Sequence, residues 1–165
     1  MHLGAKPDAG NAYSQNREQE LWDSFRDIIT ICNRKKTDLL LIAGDLFHRQ
    51  PLLRELKEMN SILEMLEQTE VVMIAGNHDS GYRIEQVEPL LEKYNAKTVG
   101  VIRWNEDKSL DIEHLLQPIY DIDQNIVAWC LSLPFLRSAE ITGFNEHTSN
   151  SQNAISYLHQ QLISE

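Results

Sequence analysis

Leu41-Ile42-Ala43-Gly44-Asp45-Leu46-Phe47-His48 and, 32 residues further on, Met73-Ile74-Ala75-Gly76-Asn77-His78-Asp79 are two versions of one pattern. Each is an apolar run that stops at a glycine and then presents an oxygen ligand suited to a cation. Parallel strands deliver side chains in this way to the crevice at the carboxyl edge of a sheet. Asp38 to Ala43 has no polar alternation, so it fits a strand covered on both faces, and Val71 to Ala75 fits its neighbour.

The segments around these strands alternate with them. From about Asn16 to Lys35, Leu21, Trp22, Phe25, Ile28, Ile29 and Cys32 recur at three-to-four spacing and predict an amphipathic helix. A second helix follows Pro51 and runs from Leu52 to about Gln68 on a stripe from Leu52 to Leu66, which packs on the sheet and leaves Leu53 or Met59 outside. After the turn Gly76 to Gly81, Ile84 to Tyr94 predicts a shorter helix and Lys97 to Ile102 another strand. Tyr120 to Ile122 and Ile126 to Leu133 flank Asp123-Gln124-Asn125 and predict a β-hairpin. Thr142 to Asn153 reads as a loop, and 151–163 as a final helix. The expected fold class is α/β, a mixed β-sheet with flanking helices.

Composition bounds the rest. The 165 residues are 42% apolar and 24% charged, enough for one globular domain with a core. No apolar run approaches the ~20 residues of a membrane span, and the first residues do not resemble a signal peptide, so the expectation is a cytoplasmic protein without a membrane partner. Cys32 and Cys130 lie in apolar stretches and suggest neither disulfide nor zinc site. The net charge of −10 opposes contact with a polyphosphate, because nonspecific nucleic-acid affinity comes from basic side chains. Bound divalent cations or a basic partner would have to supply what the chain lacks.

Asp45 and Asn77, each just past the end of a neighbouring strand, are placed to share a cation. Oxygen and imidazole donors without cysteine suit manganese, iron, zinc or magnesium. His48 and His78 would hang over the same crevice, where imidazole orients a phosphate or protonates a leaving oxygen. His114, His147 and His159 follow no strand-glycine pattern and are expected on the surface. Arg49, Arg54 and Lys57 read as a solvated face, with Glu55 and Glu58 beside them. Trp104 and Trp129, in or beside strands, are expected in the core or at its rim rather than stacked on bases.

Taken together, His2-Leu3-Gly4, Gly44-Asp45-Leu46-Phe47-His48 and Gly76-Asn77-His78-Asp79 resemble, in order and spacing, three successive motifs of the calcineurin-like metallophosphoesterases, in the version of the SbcD-type DNA repair exonucleases. Leu133-Pro134-Phe135-Leu136-Arg137 is similar to a further stretch of those proteins. The resemblance implies a calcineurin-like phosphoesterase fold over residues 1–165 and two divalent ions, most commonly Mn2+. It implies that His2 ligates one ion, Asp45 bridges both, Asn77 ligates the other, His78 meets the scissile phosphate as proton donor and His48 faces that phosphate. It further implies DNA as substrate, a coiled-coil ATPase of SbcC type as partner, and a homodimer formed through helices after these motifs.

The same resemblance sets the chain apart from a whole nuclease. The aspartate of the family's opening Asp-x-His motif would precede Met1, and its later Gly-His and Gly-His-x-His motifs would follow Glu165. The expectation is therefore an incomplete domain, the N-terminal part of a larger nuclease, that holds its ions weakly and is inactive by itself. A phosphatase or cyclic-nucleotide phosphodiesterase of the same fold is one alternative, and a non-catalytic scaffold another.

Overall fold

The computed structural model describes residues 1–5, 13–91, 96–107, 109–121, 123–137, 153, 155–158 and 160. Helix α1 (Ser14–Lys35) puts Trp22, Phe25, Ile29 and Cys32 on its buried stripe. It ends where Lys36 adopts a left-handed conformation and returns its N–H to the carbonyls of Asn33 and Cys32, satisfying acceptors the last turn leaves open. The Asn33 carboxamide then donates to the Met65 carbonyl and accepts from the Glu67 N–H. That capture turns the chain after α2 (Leu53–Leu63), so the second helix stops five residues before the expected Gln68 while Leu66 still packs on the core. Leu53 stays exposed and Met59 is buried.

Strands β1 (Leu39–Ala43), β2 (Glu70–Ile74) and β3 (Ala96–Val99) form a parallel sheet in that order. Leu41 is opposite Val72, and Met73 opposite Thr98. β2 is central and covered on both faces. Val71, Met73 and Ala75 join the core of α1 and α2, whereas Ile74 packs with Val99, Leu110, Leu115 and Leu158. β1 departs from expectation. It is an edge strand among the described residues: Leu40 and Ile42 pack inward, but Leu41 is 56% exposed on the face that no described element covers.

The helix expected over 84–94 is two short ones, α3 (Gly81–Gln86) and α4 (Glu88–Leu91), broken at Val87, with 92–95 outside the described residues. Pro89 has no N–H to continue the ladder back to Glu85. Two carboxylates from this pair close the free edge of β3. Glu88 accepts from the Thr98 N–H at 3.1 Å and the Thr98 hydroxyl at 2.6 Å, and from Lys97. Glu85 accepts from the N–H groups of Gly100 and Val101 and from Arg103. An edge whose donors are already taken is poorly suited to pair with another chain.

A one-turn helix, α5 (Ile112–Leu115), leads into β4 (Leu116–Tyr120), which pairs antiparallel with β5 (Ile126–Leu131). The hairpin is as expected, but its first strand precedes the predicted 120–122, carrying Pro118 in a two-stranded sheet that tolerates a missing donor. Asp121 organises the turn by accepting from Asp123 and Asn125. Trp129 does not join the core. It is 60% exposed on β5. Asn153, 155–158 and Gln160 are helical, and the rest of the loop and helix expected over 142–163 lies outside the described residues. No described helix is long and apolar enough to cross a membrane.

Burial works against the charge of Glu85, but the bonds from Arg103, Gly100 and Val101 outweigh it and hold this carboxyl below its ordinary pKa. Glu88 is likewise lowered, its hydrogen bonds from Thr98 and Lys97 outweighing burial. A carboxyl lowered on folding stabilises the fold above its unfolded pKa, and that contribution is lost as pH falls through the folded value. The double variant Glu85→Gln/Glu88→Gln should therefore have a flatter acid limb of Tm against pH below about pH 5. Acid limbs that run parallel in the two proteins would contradict this account.

Candidate metal and phosphate centre

The loops after β1 and β2 meet backbone to backbone. A Cβ added to Gly44 would sit 2.7 Å from the Gly76 Cα, and one on Gly76 would sit 2.2 Å from Asp45 Oδ1. Gly44 (φ +85) and Asp45 (φ +49) are successive left-handed residues. The first is ordinary for glycine, and the second is a sparsely populated state that aspartate tolerates better than most side chains. One carboxylate secures this junction: Asp79 Oδ2 accepts the N–H of Asp45 and the N–H of Gly76, each at 2.8 Å. Asp79 is 6% exposed, and the two bonds it accepts are themselves partly buried.

Every polar backbone atom of Asp45 is thus engaged. Its carbonyl accepts from the N–H of His2 at 2.9 Å and from the terminal amine, and its carboxylate Oδ1 accepts the N–H of His78 at 3.0 Å. Residues 2–5 lie along the loop after β1 in a parallel bridge between Leu3 and Phe47, extended by the bond from His48 N–H to the Leu3 carbonyl. The pairing draws three imidazoles together. Ring centroids are 5.2 Å apart for His2 and His78, 5.6 Å for His2 and His48, and 6.1 Å for His48 and His78.

All five residues singled out from sequence, His2, Asp45, His48, Asn77 and His78, therefore lie on one rim. Asn77 is exposed between two anchored amides, the one after it bonded to Asp45. His2 Nδ1 is buried without a hydrogen-bond partner, an arrangement costly for a polar atom unless something else fills its lone pair or takes its proton. Imidazole, carboxylate and carboxamide donors at one edge have the chemistry of a divalent-metal site. Among the described residues, however, no three His, Cys, Asp or Glu side chains converge as a formed ligand shell. These residues fit part of a coordination sphere.

Two neighbours were not legible as functional from their residue types. Asp79 reads as a turn residue, and only its position three after Gly76 hints that it fastens the turn. Arg49 is exposed as expected, but it also forks onto Glu55 at 2.8 and 3.1 Å, and Glu55 is 2% exposed beneath Gly4 while also accepting the Leu52 N–H. Arg54, 3.9 Å from Glu18, and Lys57 remain on the surface as expected. His114 is a correction. Instead of facing solvent it is 7% exposed, with Nε2 at 3.2 Å from Glu85 and 3.1 Å from the Val101 carbonyl. Its burial depends on partners 29 and 13 residues away, which helical spacing does not reveal. His147 and His159 lie outside the described residues.

The stretch 133–137 returns to the same rim. The Phe135 N–H donates to the Ala75 carbonyl at 2.8 Å, and Arg137 donates to the Asp79 carbonyl. Cavities of about 390 and 340 Å³ flank the turn, the first between His78, Arg49 and Arg83, the second between Gly76, Gly100 and Arg137.

The calcineurin-like phosphoesterase family matches residues 2–155. The SbcD component of the SbcCD nuclease from Rhodobacter capsulatus is 29% identical over 135 residues, covering 78% of this chain and 33% of that protein. The DNA double-strand break repair protein Mre11 of Archaeoglobus fulgidus is 32% identical over 125 residues, 73% of this chain and 27% of that protein. The chain thus spans about a third or less of the length of these relatives.

Replacing Asp79 by Ala should destabilise the fold by about 2 kcal/mol, because two partly buried N–H groups lose a charged acceptor. Gly76→Ala should also lower stability, since its Cβ would overlap the Asp45 carboxylate. Urea unfolding at neutral pH measures both, and a change under about 0.5 kcal/mol, the range of an ordinary surface substitution, would reject the junction as described.

Proposed function

The chain belongs to the calcineurin-like phosphoesterases, and from that membership we propose that it is the N-terminal part of a cytoplasmic, metal-dependent DNA phosphodiesterase, the nuclease component of a repair complex with a coiled-coil ATPase. The observation that carries this reading is the single rim that bears both the Asp45 carboxylate, bonded to the His78 backbone N–H, and the clustered imidazoles of His2, His48 and His78. Two relatives, one named for the SbcCD nuclease and one for DNA double-strand break repair, support the choice of DNA as substrate and of a complex as its setting.

His2, Asp45 and Asn77 are the residues that would hold divalent ions, manganese in this proposal. When bound, such ions supply positive charge that polarises the phosphoester and offsets the repulsion between a −10 chain and a polyanion. The protein's own groups do the rest. His48 and His78, 6.1 Å apart and exposed, flank the place of a phosphate and can donate N–H bonds to its oxygens. His78 passes its proton to the departing sugar oxygen. Its position follows from Asp45 Oδ1, which fixes the peptide on which it stands. Asp45 need not move to meet its ligand, because all its backbone atoms are already committed.

Asp45→Asn keeps a residue that tolerates the left-handed conformation and an oxygen for the His78 N–H, so the fold should survive. In the complete protein this variant should lose manganese-dependent cleavage of double-stranded DNA with its Tm little changed, and His78→Ala should lower kcat by roughly 10²- to 10⁴-fold. Full activity in Asp45→Asn would refute the assignment. Strong hydrolysis of a phosphate monoester with no DNA cleavage would redirect it to a phosphatase.

A further inference from the structure

Glu55 is buried although it stands in the first turn of α2, and a charge taken that far out of water is costly unless it is bonded. As a helix cap it needs one oxygen, Oε2, which accepts the Leu52 N–H at 2.6 Å. Nothing in that cap calls for Arg49. Yet the Arg49 guanidinium takes both oxygens, Nη2 donating to Oε1 at 2.8 Å and Nη1 to Oε2 at 3.1 Å, and Nη1 also donates to the Gln50 carbonyl. From the other side the backbone of Gly4 closes over the carboxylate, so near that an added Cβ would lie 2.7 Å from Oε1. Glu55 is thus wedged under the segment that carries His2 and bonded to the residue that follows His48.

We propose that Glu55 is a positioning residue for His48: through Arg49 it sets where that imidazole stands relative to His2 and His78. The bridge between Leu3 and Phe47 does not reach far enough to do so, because its last bond is the one from the His48 N–H to the Leu3 carbonyl. Among the described residues, the next main-chain donor to be tied down is the Leu52 N–H, on Glu55 itself. Between those two points the chain is gripped by the Arg49 fork, whose two parallel bonds fix a direction as a single bond would not. Gly4 in turn keeps the carboxylate from shifting, so the imidazole of His48 is referred to the same backbone as that of His2. Groups that act on one phosphate need their places held to within about 0.5 Å, and supports of this kind hold them. The inference rests on the phosphodiesterase reading for what His48 does, and it adds a residue, outside the rim, that makes His48 ready to do it.

The test follows the histidine rings by NMR in the chain freed of metal with EDTA, where the three centroid separations, 5.2 to 6.1 Å, bring ring protons close enough for cross-relaxation peaks. Glu55→Gln keeps the shape beneath Gly4 and an oxygen for the Leu52 N–H, and Arg49→Gln, at a half-exposed side chain, removes the fork alone. Both variants should weaken the peaks from His48 to His2 and to His78, while the peak between His2 and His78, whose peptides are bonded to Asp45, persists. In the complete protein with manganese both should lower kcat for bis(p-nitrophenyl) phosphate by roughly 10- to 100-fold and leave KM within about twofold. Unaltered His48 peaks in Arg49→Gln, loss of all three peaks together, or an unaltered kcat would each overturn the proposal, and Arg49→Gln decides it if Glu55→Gln does not fold. Absence of turnover in the unsubstituted complete protein would instead sink the hydrolase reading and leave the hold of Glu55 on His48 to be read from the rings.

Discussion

A single carboxylate oxygen joins the ends of two strands. Asp79 Oδ2 takes the N–H of Asp45 from one loop and the N–H of Gly76 from the other, and the geometry of the rim descends from that pair of bonds. They allow Gly44 and Gly76 to touch without side chains between them. They also hold Asp45 in its left-handed conformation, with its carboxylate available to the peptide of His78 and its carbonyl to that of His2. Without this junction β1 and β2 would still pair, but their ends would not present ligands to a common point.

The remainder of the structure protects that arrangement from two sides. α1 and α2 cover one face of β2 and fix its depth, and Asn33 ties the helix ends to the turn before it. At the far edge, Glu85 and Glu88 replace a neighbouring strand as acceptors for β3, with His114 buried against Glu85. Gly81 and Gly100 approach so closely there that a Cβ on either would overlap the other's carbonyl oxygen. The turn carrying Asn77 and His78 is thus held both by its own aspartate and by the helix that follows it.

Where the sequence spoke clearly, it spoke through local regularity. α1, β1, β2 and the oxygen ligands at their ends were readable because apolar period and glycine punctuation are local signals, and Asp45, His48, Asn77 and His78 followed from them, whereas His2 was pointed to by the family resemblance alone. What could not be read depended on distant partners. The fate of His114 was decided by Glu85 and Val101, and the break between α3 and α4 by two acidic side chains drawn to β3 as much as by Pro89. Trp129 shows the converse, since strand membership does not say which face of a hairpin is covered.

The glycine-to-glycine contact also divides the molecule into parts that can and cannot drift. Gly44 and Gly76 admit no larger residue, so the spacing of the two ligand loops is a rigid hub on which substitution is barred from both sides at once. Gln50, Pro51 and the start of α3 border the same opening but are held mainly by side chains. Divergence among descendants of such a scaffold should therefore accumulate in that collar, altering what is admitted while the chemistry at the centre stays put.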